Sequence, residues 1–168
     1  KDVIHSTLTL YIGDVISRRV YATETYELRG VGTSETRAFV NAFSQLNGKN
    51  QKLQKFVDKG AKKVLDYFNK EYPVLIKQAE AASALRSYDE ALSYLALVPE
   101  CCVGYDEVSK VMLSIYSKYV DYESQMLLAQ ARAAWGASPD EYGAEKALAL
   151  LAMIDPSASC YGEASKLM

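Results

Sequence analysis

The first thirty residues alternate in polarity. Ile4, Leu8, Leu10 and Ile12 fall on even positions, and so do Val20, Ala22, Tyr26 and Leu28. A period of two predicts strands over 3–12 and 18–28, and Gly13-Asp14 between them is a turn signal. Two such strands around a short turn make a β-hairpin. An isolated hairpin is marginal in water, so this one must pack on the helices that follow or pair with further strands.

After Gly30-Val31-Gly32, the glycines of which can turn the chain out of the strand, the period lengthens. Thr33 or Ser34 is an N-cap for a helix to about Leu46, with Ala38, Phe39, Ala42, Phe43 and Leu46 inward and Asn47-Gly48 as its stop. Residues 50–70 form a second helical segment with an apolar stripe of Leu53, Phe56, Val57, Val64, Leu65 and Phe68. Its other face carries Lys52, Lys55, Lys59, Lys62 and Lys63. Such a face is ordinarily solvated, and no arginine or aromatic is interleaved to favour nucleic acid.

Pro73 fits the first position of a helix reaching Leu85, because its missing N–H would be unpaired there anyway. A polar turn at Arg86 and Ser87 leads to a helix from Tyr88 to Val98, closed by Pro99. The next helix runs from Tyr105 to about Trp135. Its stripe of Val108, Met112, Ile115, Tyr119, Tyr122, Met126, Ala129 and Ala133 repeats every seven residues, and Val111, Tyr116, Val120 and Leu127 widen it. So broad an apolar sector predicts a spine packed on more than one neighbour. Gly136 is its expected cap, Ser138 followed by Pro139 the next helix start, and Ala144–Ile154 a further helix stopped by Asp155-Pro156.

The segment Tyr105–Met112 reappears as Tyr161–Met168, with five of eight residues identical at an offset of 56. Upstream, ALSYLALVP and ALALLAMIDP align as well, and cysteines follow both prolines soon after. An internal repeat is expected, built on helical hairpins at about 73–99 and 129–156.

The stretch SYDEALSYLALVP resembles the tetratricopeptide pattern, with Tyr88, Ala91, Leu95 and Pro99 in the family's roles. Ser87 stands where that family has a tight-turn glycine, and the second helix is about one turn short. Over residues 1–46, strand, Gly-Asp turn, strand, Gly-x-Gly-x-Ser and an alanine-rich helix are similar to small αβ modules of bacterial envelope lipoproteins, including curli-secretion and penicillin-binding-protein-activator types. That resemblance implies a periplasmic or outer-membrane-associated setting. The expected fold class is α+β: an N-terminal β-hairpin plus helix at 1–48, followed by an all-helical tetratricopeptide-like array at 49–168.

Composition adds little to this picture. Of 168 residues, 49% are hydrophobic and 24% charged, as in ordinary globular chains. A net charge of −2 argues against nucleic-acid binding by the whole chain. No apolar run approaches the roughly 20 residues of a membrane span. The chain starts at Lys1 and ends at Met168 within a helix-like pattern, and is expected to be a fragment or a processed chain. Cys101, Cys102 and Cys160 are expected to be small buried hydrophobes at the repeat junctions, with neither CxxC nor a neighbouring histidine to suggest zinc.

Chemistry is sparse. Gly30-x-Gly32 follows a strand and opens a helix but has no third glycine and no Lys-Ser/Thr pair, so nucleotide binding is not expected. His5 is the only histidine and has no nucleophile motif beside it. The acid pairs Asp89-Glu90, Asp106-Glu107 and Asp140-Glu141 sit at helix starts, where the helix dipole favours them. No catalytic residue, cofactor or metal is expected.

What remains is a non-enzymatic protein-interaction scaffold that binds a peptide or protein partner on its helical surface. Lys77, Glu80, Arg86, Tyr116 and Gln130 are the expected contacts. An alternative is a structural subunit that self-associates through its N-terminal strands, whose edges are templates for pairing.

Overall fold

The computed structural model describes residues 1–15 and 17–167. Among these, an antiparallel β-hairpin precedes six helices, which makes the chain α+β. The elements are β1 (Asp2–Asp14), β2 (Arg19–Gly32), α1 (Glu35–Phe43), α2 (Gln51–Ala84), α3 (Tyr88–Ala96), α4 (Tyr105–Ala137), α5 (Glu141–Leu151) and α6 (Tyr161–Leu167). Contacts divide the chain into two compact units, Lys1–Lys70 and Glu71–Met168. That division falls inside α2, whereas the sequence division at 48/49 falls in the loop before it.

In the first unit the hairpin is longer than its polarity pattern predicts. Gly13 and Asp14 are not the turn: they pair with Val20 and Arg19 at the end of β1. Between Ile12↔Ala22 and Gly13↔Val20 the register slips by one residue, and Tyr21 is the extra residue of a β-bulge. A bulge reverses the alternation beyond it. That is why Tyr21 and Ala22 are both buried while Val20, expected inward, is exposed.

Gly30 and Gly32 also differ from expectation. Both lie within β2 and neither has a positive φ. Their role is close approach: a Cβ at Gly30 would lie 1.8 Å from the Ala38 carbonyl oxygen. The backbone of α1 therefore rests directly on β2. Ser34 caps α1 by accepting a hydrogen bond from the Arg37 N–H at 3.3 Å. Ala38 and Ala42 are buried, but α1 stops at Phe43, and Phe39 and Phe43 stay largely exposed because only the alanine face fits so close to the strand. The core here joins Tyr26, Leu28 and Ala42, flanked by Ile4, Leu8, Leu10, Leu46 and Leu53.

Pro73 does not begin a helix. Residues 50–70 and 73–85, expected as separate segments, form the single 34-residue α2 with Pro73 inside it. An interior proline costs a helix about 3 kcal/mol. Phe56, Gly60 and Phe68 are buried before it, and Ile76, Ala79 and Ser83 after it. Packing on both sides of Pro73 outweighs that local cost.

In the second unit, α4 packs against both α3 and α5. The heptad stripe holds only for its first half. Val108 and Ile115 are buried and Tyr119 and Tyr122 half-buried, whereas Met126, Ala129 and Ala133 are exposed. Beyond Tyr122 the buried residues are Ser124, Leu128 and Ala131. The inward face rotates because the neighbour changes from α3 to α5. Gly136 lies inside α4 rather than capping it, and Asp140, not Ser138, caps α5 by accepting from the Gly143 N–H at 2.9 Å.

Two stretches of this unit match at a spacing of 56. Ala91, Leu95, Val98, Cys102 and Val108 are buried, and so are Ala147, Leu151, Ile154, Ala158 and Ala164. The turn hydrogen bonds match too. Val98→Leu95, Cys102→Pro99, Tyr105→Cys102 and Val108→Gly104 have counterparts in Ile154→Leu151, Ala158→Asp155, Tyr161→Ala158 and Ala164→Cys160. The last position of the aligned segment, Met168, lies outside the described residues.

Candidate partner-binding site

The turn between α2 and α3 is where backbone strain and side-chain chemistry meet. The Ser87 N–H donates to the Ala82 carbonyl and the Arg86 N–H to the Ser83 carbonyl, each at 3.0 Å. This is the Schellman closure of a helix, in which the residue after the C-cap is left-handed and usually glycine. Arg86 occupies that position with φ 61°. A side chain there costs about 1–2 kcal/mol, and such strain concentrates at functional positions.

The guanidinium of Arg86 lies over the ring of Tyr122, 5.2 Å from its centroid. Tyr88, at the start of α3, contacts the rings of both Tyr119 and Tyr122 on α4, at 5.6 and 5.7 Å between centroids. These residues line an open cleft of about 400 Å³ with Ser87, Asp89, Glu90 and Glu123. Three carboxylates against one guanidinium leave the rim acidic. The Tyr119 hydroxyl registers that field: Glu123 first, then Asp89, push its pKa above the usual phenol value. Tyr94 is pushed up by Glu90, whose Oε1 accepts its hydroxyl proton at 2.9 Å.

The five sequence-predicted contacts do not converge on one site. Arg86 lines this cleft. Glu80 lines a different groove, between α2 and α4, with Lys110 and Lys118. Lys77, Tyr116 and Gln130 are exposed on α2 and α4 and line neither. The tyrosine cluster was not expected as a site, since Tyr119 and Tyr122 read as core stripe. The available signal was Tyr119-x-x-Tyr122, one helical turn apart, with Glu123 beside them.

No family model, curated protein or solved structure matches this chain.

A second groove, of about 320 Å³, is apolar. Trp135, Leu148, Leu151 and Leu167 line it, and the polar residue of its wall, Arg132, is ion-paired with Glu163. Among the described residues, no group of three or more His, Cys, Asp or Glu is placed to hold a metal ion, and no helix is long and apolar enough to cross a membrane. All three cysteines are free thiols. Cys102 is buried as expected, but Cys101 is exposed and Cys160 half-buried. His5 is exposed on β1 opposite Arg29. Lys52 departs from the solvated lysine face: its Nζ pairs with Glu24 at 3.0 Å, donates to the Thr25 carbonyl at 2.8 Å and lies over the Tyr26 ring.

Proposed function

We propose that this chain is a non-enzymatic protein-interaction scaffold whose helical unit, a tetratricopeptide-like array, binds a peptide or protein partner. The cleft at the α2–α3 turn takes a basic side chain of that partner. The observation that carries this is Arg86, held left-handed with its guanidinium stacked on Tyr122 inside an acidic rim. An arginine of the chain itself occupies the aromatic wall, and an incoming lysine or arginine would meet the same surface. Aromatic faces and carboxylates together favour such cations by about 0.5–2 kcal/mol per contact. The matched burial and turn hydrogen bonds at a spacing of 56 support the array. An envelope-associated setting, periplasmic or at the outer membrane, belongs to the same proposal and rests on the lipoprotein resemblance of residues 1–46.

The test is a titration with short peptides carrying lysine and arginine, against acidic peptides of equal length, followed by the ring resonances of Tyr88, Tyr119 and Tyr122. Basic peptides are expected to shift these resonances, and Tyr122→Ala and Glu123→Gln to weaken the effect. Equal response to acidic peptides, or none to basic ones, would rule the reading out.

A further inference from the structure

The two edges of the hairpin are not equivalent. In an antiparallel pair, alternate residues direct their N–H and C=O outward. On β2 the odd residues do so, and three of their groups are taken. The Val31 N–H donates to Asn41 Oδ1 at 3.1 Å. The Arg29 carbonyl accepts from Gln45 Nε2 at 2.7 Å, and the Thr25 carbonyl from Lys52 Nζ at 2.8 Å. Side chains of α1, of the turn after it and of α2 thus stand along this edge.

By the pairing of His5 with Arg29 and Thr9 with Thr25, the odd residues of β1 also face outward, on the opposite side. Among the described residues, nothing outside the ladder bonds the outward backbone groups of Val3, His5, Thr7, Thr9 or Tyr11. Edges are ordinarily protected by lysine, proline or a covering element. Between Val3 and Gly13 there is no Lys, Arg, Asp, Glu or Pro. Burial shows the same asymmetry: Ala22, Tyr26 and Leu28 of β2 are buried, but Ile4, Leu8, Leu10 and Ile12 of β1 only partly.

We infer that the β1 edge pairs with β1 of a second copy of this chain, antiparallel about a two-fold axis at Thr7. The two hairpins then form one four-stranded sheet in the order β2-β1-β1-β2. This register sets Thr7 against Thr7, His5 against Thr9 and Val3 against Tyr11 on the outer face, with no Lys, Arg, Asp or Glu among them. The hydroxyl pairing has a precedent in the hairpin itself, where the Thr9 and Thr25 hydroxyls meet at 3.1 Å. On the inner face Ile4 meets Leu10 and Leu8 meets Ser6, which covers three of the four half-buried residues, while Ile12 meets Asp2 at the end of the pairing. Moving the axis to Leu8 would set Asp2 against Asp14, a like-charge pair that disfavours that register. The pairing uses the first unit only and does not depend on the peptide-binding proposal.

Sedimentation across a concentration series, with amide exchange on the same samples, tests it. The wild-type chain is expected to dimerise, with the Val3, His5, Thr7, Thr9 and Tyr11 amides protected as concentration rises. Thr7→Glu, at an exposed side chain, sets two new carboxylates against each other across the axis, each flanked by Glu27 of its own copy. It should weaken association at least about tenfold. An equimolar mixture of Thr7→Glu and Thr7→Lys should recover it, while Thr23→Glu, on β2 and away from the pairing, should leave it unchanged. A wild-type chain that stays monomeric, five amides that exchange freely at every concentration, or association indifferent to Thr7→Glu would each overturn the inference. Association of the Thr7→Glu protein restored by a basic peptide, without the Thr7→Lys chain, would overturn it as well.

Discussion

Arg86 and Tyr122 hold each other across the α2–α3 turn, the guanidinium 5.2 Å from the ring centroid. The contact is made from a left-handed backbone that glycine would adopt without strain. Replacing Arg86 therefore separates two effects. Arg86→Ala removes the stacking and keeps the strain, whereas Arg86→Gly removes both. In most helical positions glycine is less stable than alanine by about 0.5–1 kcal/mol. Here the order should reverse, with Arg86→Gly more stable than Arg86→Ala by about 1 kcal/mol in urea denaturation. Equal or inverted stabilities would mean that Arg86 is not held left-handed in solution.

Tyr119 reports the charge of the cleft. Glu123 and Asp89 hold its hydroxyl proton on beyond the ordinary range. In a spectrophotometric titration, Glu123→Gln should lower the Tyr119 pKa toward the usual value, and Asp89→Asn should lower it less. No change in either variant would remove the acidic rim from the description of the site.

Among the described residues, the buried hydroxyls of Tyr21 and Tyr26 find no hydrogen-bond partner. An unsatisfied buried polar group costs about 1–3 kcal/mol. Tyr21→Phe keeps the ring contact with Tyr67, 5.6 Å between centroids, and deletes the orphan. It should raise stability by about 1 kcal/mol, read as a higher urea midpoint at unchanged slope.

Stability should fall at both ends of the pH scale. Glu24 titrates below the usual carboxylate value because Lys52 hydrogen-bonds its ionised form. Its contribution is present above the unfolded pKa and is lost as pH falls through the lower folded value. Tyr21 is pushed up, first by burial and then by Tyr67 and Asp14. Its contribution is present below the unfolded phenol value and is lost as pH rises through the higher folded one. Glu24→Gln should flatten the acid limb of a melting-temperature profile, and Tyr21→Phe the alkaline limb.

Gly30→Ala should be strongly damaging. Its Cβ would sit 1.8 Å from a backbone oxygen of α1, where no side chain can give way. Overpacking of that kind costs about 3 kcal/mol. Loss of α1 amide protection alongside the drop in stability would trace the damage to that contact.

Much of the architecture was legible because the chain's periodicities agree with its packing. The even positions of β1, the N-cap at Ser34 and the acid pairs at the starts of α3, α4 and α5 all fall where polarity and dipole place them. What was not legible depended on neighbours. The bulge at Tyr21 is invisible to alternation until the opposite strand is known. Pro73 looks like a beginning because a proline suits the first turn of a helix, and only the packing on both sides of it lets α2 run through. The cleft was half-seen. Arg86 was expected as a contact, but Tyr119 and Tyr122 fit a core stripe equally well, and only the swing of α4 from α3 to α5 leaves them at the surface.

Lys52 has one more effect. With Asn41 and Gln45 it occupies outward groups of β2, which leaves β1 the less guarded margin of the sheet. Two chains joined there present to a third only the β2 margins, along which Asn41, Gln45 and Lys52 stand. The association ends as a closed pair, where the same strand with both margins open would be free to grow into a fibre.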